Sequence, residues 1–108
     1  MEVFRLTKKF PKEELYSLTD QVRRSSRSVT ANIVEGWSKR RYENVFKRHL
    51  LDAIGSSDET KAWLAFAADC KYITSDERQT LTGRFDELGK MLHRLFENWK
   101  TYTVEKVS

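Results

Sequence analysis

The strongest constraint on the fold is an apolar repeat in the last third of the sequence. Its members are separated alternately by four and three residues: Leu81, Phe85, Leu88, Leu92, Leu95 and Trp99. This alternation brings them to one side of a helix and is typical of a helix that packs at a shallow angle in a bundle. Strand-like alternation is absent from the sequence. The pattern therefore predicts an all-α fold.

Three further helices are predicted before this repeat. Val3 and Leu6 have helical spacing, and a break is expected at Pro11 because the residue before a proline avoids the α-helical region. A second apolar stripe follows the break: Leu15, Leu18, Val22, Val29 and Ile33. Gly36 is expected to end that second helix as its C′ residue, since glycine tolerates a left-handed backbone.

A third and a fourth helix complete the prediction. Phe46, Leu50 and Leu64 are expected to face the core from a long third helix. Thr74 and Glu77 have the spacing of a capping box, with Thr74 as N-cap of the fourth helix. The four helices are predicted at about residues 1–9, 14–36, 41–70 and 75–101, within a single domain that spans residues 1–108.

Composition narrows the class of protein. The 108 residues are 39% hydrophobic and include four glycines and one proline, which argues against a disordered chain and against a turn-rich β-sandwich. No apolar stretch approaches the length of a transmembrane helix, and the N-terminus lacks a signal-peptide core. Cys70, the single cysteine, is expected to be a small buried residue at a helix end. These features predict a cytoplasmic protein without membrane association.

The sequence offers little for catalysis. His49 and His93 are the only histidines, and neither has the spacing of a metal-binding motif. Paired acidic residues such as Asp58 and Glu59 diverge by about 100° on a helix, so they would not face one substrate. Neither a phosphate-binding glycine loop nor a nucleophile motif is present. We therefore expect no enzymatic activity, no metal and no cofactor.

Charge is distributed unevenly along the chain. Residues 1–50 hold twelve Lys or Arg and six Asp or Glu, a net of +6, whereas residues 51–108 hold eight and ten, a net of −2. The candidate nucleic-acid-binding residues are Arg23, Arg24, Arg27, Lys39, Arg40, Arg41, Lys47 and Arg48. The first three lie away from the apolar stripe and can form one exposed basic ridge. The alternative is a solvated face that keeps the protein soluble.

Two aromatic residues flank the basic run at residues 39–41. Trp37 and Tyr42 could stack on bases beside these cations. The alternative, which we favour, is that Trp37 covers the core at the loop between the second and third helices.

Several apolar or small residues lie off the main stripes of the second and third helices. They are Ala31, Val34, Leu51, Gly55, Ala62 and Phe66. Those of the third helix cluster at roughly 140° to 200° from its core direction, where a monomeric bundle should be polar. They could be scattered surface residues. Because the small side chains would let another helix approach closely, we favour an oligomer interface.

Three stretches of the sequence resemble a known family. They are residues 6–14 (LTKKFPKEE), residues 18–24 (LTDQVRR) and residues 32–40 (NIVEGWSKR). In this order they resemble the small bacterial proteins encoded within intervening sequences of large-subunit ribosomal RNA genes. That family also includes the accessory variability determinant of diversity-generating retroelements. The resemblance covers nearly the whole chain.

The resemblance implies an antiparallel up-down four-helix bundle that assembles as a homopentamer with a basic surface. In the retroelement branch it implies binding to nucleic acid and to a reverse transcriptase. The family's basic pair matches Arg23 and Arg24, and its short motif matches Asn32, Glu35 and Gly36, which we interpret as structural residues at a helix end. The first helix is shorter here than the family pattern.

Together, these observations predict a non-catalytic oligomeric scaffold. Its basic residues would bind RNA or DNA mainly through phosphates, without reading the sequence. The alternative is a structural adaptor that binds a protein partner, such as a reverse transcriptase, and has no direct contact with nucleic acid.

Overall fold

Four α-helices form the protein in a computed structural model that describes residues 2–100. Their bounds are α1 Glu2–Thr7, α2 Leu18–Ser38, α3 Glu43–Asp69 and α4 Ser75–Asn98, with one 3₁₀ turn at Lys12–Glu14. The described residues contain no strand, so the predicted all-α fold with a short first helix is confirmed. Met1 and the predicted end of the fourth helix at residue 101 lie outside the described residues.

The segment around Pro11 separates α1 from α2, as the sequence predicts. Pro11 is the N-cap of the 3₁₀ turn and has an extended backbone, with φ −58° and ψ 150°. That turn takes up residues that were predicted to be helical, so α2 begins at Leu18 and not near residue 14. The prediction that Leu15 belongs to the core stripe is therefore wrong, and its side chain is 45% exposed.

The end of α2 also differs from the prediction. Gly36 lies inside the helix, which continues to Ser38, and no glycine among the described residues has a positive φ. A Cβ at Gly36 would lie 2.8 Å from Cβ of His49 and 3.3 Å from Cδ1 of Phe46. Gly36 is thus required for the close approach of α3 and does not terminate the helix. A cap and a close contact look alike in sequence because both need the absence of a side chain.

The junction of α3 and α4 contains a residue with a left-handed backbone conformation. Lys71 has a φ of 63° just after α3. Cys70, the C-cap of α3, is exposed, which corrects the prediction of a buried thiol. The capping box at α4 is confirmed, since the Glu77 amide donates to Thr74 Oγ1 at 3.0 Å and the Thr74 amide donates to the Glu77 carboxylate at 2.9 Å.

Helix α3 lies between α2 and α4 and runs antiparallel to each of them. Along α2, Ser25 pairs with Thr60 and Asn32 pairs with His49, so the chain direction reverses between α2 and α3. The short α1 packs against α2 at one end of this layer. None of the helices in residues 2–100 is both long enough and apolar enough to cross a membrane.

The core consists of two apolar clusters along α3. One lies at the α1 end, where residues of α1, α2, α3 and α4 meet around Val22 and Leu64. The other lies toward the loop between α2 and α3, around Phe46, Leu50 and Leu92. In the α4 repeat, Leu81 and Leu92 are buried, whereas the other members are partly exposed. The bundle is therefore incompletely covered beside α4.

Candidate nucleic-acid interface

The predicted basic residues lie at two opposite ends of α2. Arg23, Arg24 and Arg27 lie in its first half, close to α1, whereas residues 39–41 follow its C-terminus. At 1.5 Å per residue, about 24 Å separate residue 23 from residue 39 along the helix axis. The structure thus resolves the candidate set into an α1-end cluster (Arg23, Arg24, Arg27) and a loop-end cluster (Lys39, Arg40, Arg41, Lys47, Arg48).

The three arginines of the α1-end cluster have different surroundings. Arg23 is half-buried: its Nε donates to Thr7 Oγ1 at 2.9 Å, and its guanidinium lies 4.2 Å from the centroid of the Phe4 ring. Arg24 donates to Gln21 Oε1 at 2.8 Å and lies 3.7 Å from an Asp20 carboxylate oxygen. Arg27 is exposed, and it has no ion pair or hydrogen bond with any residue from 2 to 100. Of the three, Arg27 therefore has the guanidinium that is most available to bind an anion.

In the loop-end cluster, Arg40 lies against an aromatic ring. Its guanidinium is 4.2 Å from the Trp37 ring, and it donates to the Trp37 carbonyl oxygen at 2.9 Å. Trp37 itself contacts Phe46 and Trp99 edge to face, with ring centroids 6.3 Å and 5.9 Å away, and remains 50% exposed. Trp37 thus covers the core with one side while its other side carries a cation. Tyr42 is 64% exposed.

The remaining cations of the loop-end cluster differ in accessibility. The Lys47 side chain is only 23% exposed, because it pairs with Glu43 at 3.4 Å and lies 5.5 Å from the Phe96 ring. Lys39 is 3.9 Å from Glu35. Arg41 and Arg48 are exposed and make no ion pair within the described part of the chain. These two arginines are the best placed of the cluster to meet an anion.

The short motif of α2 connects this helix to α3. Asn32 Oδ1 accepts a hydrogen bond from His49 Nδ1 at 3.1 Å, while Asn32 Nδ2 donates to the Ser28 carbonyl oxygen at 3.0 Å. His49 Nε2 is 3.9 Å from a Glu35 carboxylate oxygen. The motif lies beside His49, which contacts Asn32, Glu35 and Gly36. These residues therefore contribute to the packing of α2 against α3. The sequence alone does not link His49 to this motif, because His49 and Asn32 are seventeen positions apart and share no local pattern.

The residues predicted to form an oligomer interface are exposed but lie on two separate faces. Ala31 and Val34 lie on α2, and Leu51, Gly55, Ala62 and Phe66 lie on α3. Val34, 63% exposed, is about 200° around α2 from Asn32 and so faces away from α3. On α3, Leu51 is 49% and Phe66 52% exposed, and a Cβ at Gly55 would meet no atom within 4 Å. We call these the α2 face and the α3 face.

A groove that the sequence analysis missed lies beside the α1-end cluster. Its volume is about 250 Å³, and it is bounded by α1, α2 and α4. Phe4 of α1, Arg27 of α2 and Phe85 of α4 are among its lining residues. No sequence motif marks this groove. It arises because α1 has only six residues and leaves the neighbouring apolar surface of α2 and α4 uncovered. Within residues 2–100, no group of three or more potential metal-ligating side chains is present.

The fold and these surfaces define a small helical-bundle protein with basic clusters at both ends of one helix. Residues 1–94 match the family model of the 23S rRNA-intervening sequence proteins, and the chain belongs to this family. A similar solved structure is a protein of unknown function from the S23 ribosomal protein family of Bacteroides thetaiotaomicron. It is 24% identical, the match covers 89% of each chain, and the TM-score is 0.80, so it shows the shared fold. No curated protein sequence matches the chain.

Proposed function

We propose that this protein is a non-catalytic scaffold that binds RNA or DNA through the phosphates. The observation that carries the proposal is that three of the candidate arginines are exposed and form no ion pair with described residues: Arg27, Arg41 and Arg48. An unpaired surface guanidinium loses no internal contact when it meets a phosphate, and it can bind two phosphate oxygens at once. Membership in a family named for ribosomal RNA intervening sequences is consistent with a nucleic-acid ligand.

The two basic clusters suggest how a strand would lie. They are separated by about 24 Å along α2, and successive phosphates on one strand of a duplex are about 3.4 Å apart along the axis. A nucleic acid that runs along α2 would therefore meet the two clusters through different phosphates. Such contacts supply affinity without reading bases, so similar binding of unrelated sequences is expected.

The same proposal includes self-association, which would repeat the clusters around an assembly. A ring of identical subunits needs two different complementary faces, one of which contacts the other on the next subunit. The α2 face and the α3 face offer such a pair. The homopentamer is the form implied by the family resemblance. Gly55→Arg adds a long charged side chain to the α3 face, so we expect smaller particles by light scattering with unchanged helicity. Unchanged particle mass would contradict this part of the proposal.

The decisive experiment is fluorescence anisotropy of labelled RNA and DNA over a salt series. Log affinity is expected to fall linearly with log salt, with a slope of about 0.9 for each phosphate contact on duplex DNA. Arg27→Glu should weaken binding of all sequences and reduce the slope by about one. Lys90→Glu is the matched control, since Lys90 is exposed on α4 and the charge change is the same.

Two results would count against phosphate binding. An equal effect of Arg27→Glu and Lys90→Glu would mean that net charge, and not the basic clusters, governs affinity. No binding at low salt would reject the nucleic-acid function altogether. The second candidate would then be an adaptor for a protein partner such as a reverse transcriptase, which the exposed apolar α2 and α3 faces favour.

A further inference from the structure

The groove at the α1 end exposes apolar surface because α1 is short. Val3, Leu81, Phe85 and Leu88 form its floor, and the last two are only partly buried although they belong to the apolar repeat of α4. In a bundle with four long helices, the first helix would cover this part of α2 and α4. Here α1 has only six residues, so it covers only part of this surface and leaves an apolar groove.

Cations surround this apolar floor. Arg23 and Arg27 reach it from α2, and Arg84 reaches it from α4, where it forms an ion pair with Glu2. Phe4, 42% exposed, lies at the edge with the Arg23 guanidinium stacked 4.2 Å from its ring centroid. The groove therefore combines an apolar interior with a border of three arginines and one glutamate, in which the Phe4 ring supports the Arg23 guanidinium.

We infer that this groove takes one unstacked base of a single-stranded nucleic acid, with a flanking phosphate at Arg27. The inference rests on the function proposed above and adds the kind of strand that is bound. A base is flat and aromatic, so it can stack on the guanidinium plane of Arg23, which itself lies 4.2 Å from the centroid of the Phe4 ring, while the edges of the base remain near solvent. The groove is continuous with the α1-end cluster, because Arg23 and Arg27 belong to both.

The charges around the groove favour a base over an apolar helix from a partner protein. Arg23 and Arg27 border the groove, and a nucleotide brings a phosphate that can pair with them, whereas an apolar helix face brings no anion. The Glu2–Arg84 ion pair also connects α1 to α4 beside the groove. Bases inside a duplex are stacked and paired, so the groove would select unpaired nucleotides.

The test separates base contacts from phosphate contacts. Two single-stranded DNA probes of about twelve nucleotides carry the same backbone charge, but one has bases and the other is fully abasic. The probe with bases includes one 2-aminopurine, whose fluorescence reports stacking. The base-bearing strand should bind about tenfold or more tightly than the abasic strand, and 2-aminopurine fluorescence should change on binding. Phe4→Leu should remove most of that difference while leaving the abasic affinity unchanged.

Tyr16→Leu is the matched control, because Tyr16 is an aromatic residue that is 92% exposed and lies outside the groove. It should preserve the preference for the base-bearing strand. Phe4 belongs to neither core cluster, so Phe4→Leu should fold normally, which circular dichroism checks.

Each other outcome overturns the inference in a distinct way. Equal affinity for both strands, with a normal salt slope, would reject the base site and leave phosphate binding intact. No binding of either strand at low salt would reject both proposals and direct attention to an acidic protein partner. A change in particle mass for Phe4→Leu would show that a second copy of the chain occupies the groove.

Discussion

The two faces of α3 pack against their neighbours by different means. Toward α2, the contact adds small polar residues to its apolar ones: the hydroxyls of Thr60 and Ser25 are 2.8 Å apart, those of Ser56 and Ser28 are 2.9 Å apart, and His49 meets Asn32. Toward α4, the contact is largely aliphatic, with Leu50, Ile54 and Leu92 in one cluster. The first interface fixes register through directional bonds at short range, whereas the second supplies non-directional apolar burial.

This difference predicts where substitutions act. Apolar truncation should be most harmful between α3 and α4, where large side chains fill the space. Added volume should be most harmful between α2 and α3, where the backbones come close. Three predictions below test this comparison and a fourth tests the contact between Lys9 and α4, from the largest expected change in the free energy of unfolding to the smallest.

Leu50→Ala should cause the largest loss. Leu50 is 1% exposed and packs in the cluster with Leu92, so its truncation should lower the free energy of unfolding by about 2–5 kcal/mol. The adjacent Leu51 is 49% exposed, and Leu51→Ala should change stability by about 0.5 kcal/mol at most in the monomer. Urea unfolding of both variants measures the contrast. Equal losses would show that the α3 face is covered as well.

Gly36→Ala should destabilise the protein although alanine is a better helix former than glycine. The new Cβ would lie 2.8 Å from Cβ of His49, an atom close to the α3 backbone that cannot move independently, and we expect a loss of about 1–3 kcal/mol. Gly83→Ala is the matched control on α4, where a Cβ meets nothing within 4 Å, and it should stabilise by about 0.5–1 kcal/mol. Thermal unfolding distinguishes the two signs. A stabilising Gly36→Ala would mean that α2 and α3 are less close than described.

Thr60→Val tests the polar character of the α2–α3 contact. Thr60 is fully buried, and its hydroxyl contacts the Ser25 hydroxyl and the Ser56 carbonyl oxygen, each at 2.8 Å. The valine keeps the shape but removes these hydrogen bonds, so we expect a loss of about 1 kcal/mol. Thr80→Val, at an exposed position of α4, is the control in the same urea titration. A neutral Thr60→Val would show that shape alone maintains this interface.

The smallest expected effect is a change in the pH dependence of stability, through the contact of Lys9, just after α1, with Glu77 of α4. A hydrogen bond from Lys9, 2.5 Å from the Glu77 carboxylate, lowers the pKa of Glu77, with a contribution from the Thr74 amide. A lowered pKa means that the stabilisation is complete above the ordinary pKa of glutamate and is lost as the pH falls through the lowered value. Urea midpoints from neutral to acidic pH should therefore fall less steeply for Glu77→Gln than for the natural chain. Parallel curves would contradict this assignment.

The helices and their separations follow from local sequence patterns. The four-three repeat placed α4, the proline placed the break after α1, and Thr74 with Glu77 placed the start of α4. These signals depend on residues within one or two turns, where backbone hydrogen bonding and steric restriction decide the conformation. The predicted basic residues of the candidate interface were likewise readable from the sequence, since their charge does not depend on the fold.

Tertiary structure decided what those residues contact. Gly36 lies inside α2 because α3 approaches it, and His49 joins Asn32 across the interface. It also divided the basic residues into two clusters and left Arg27 exposed beside an apolar groove. The sequence by itself determined the helical segments because their stabilising contacts are local. Packing, accessibility and the groove depend on residues far apart in the chain, so only the assembled bundle determines them.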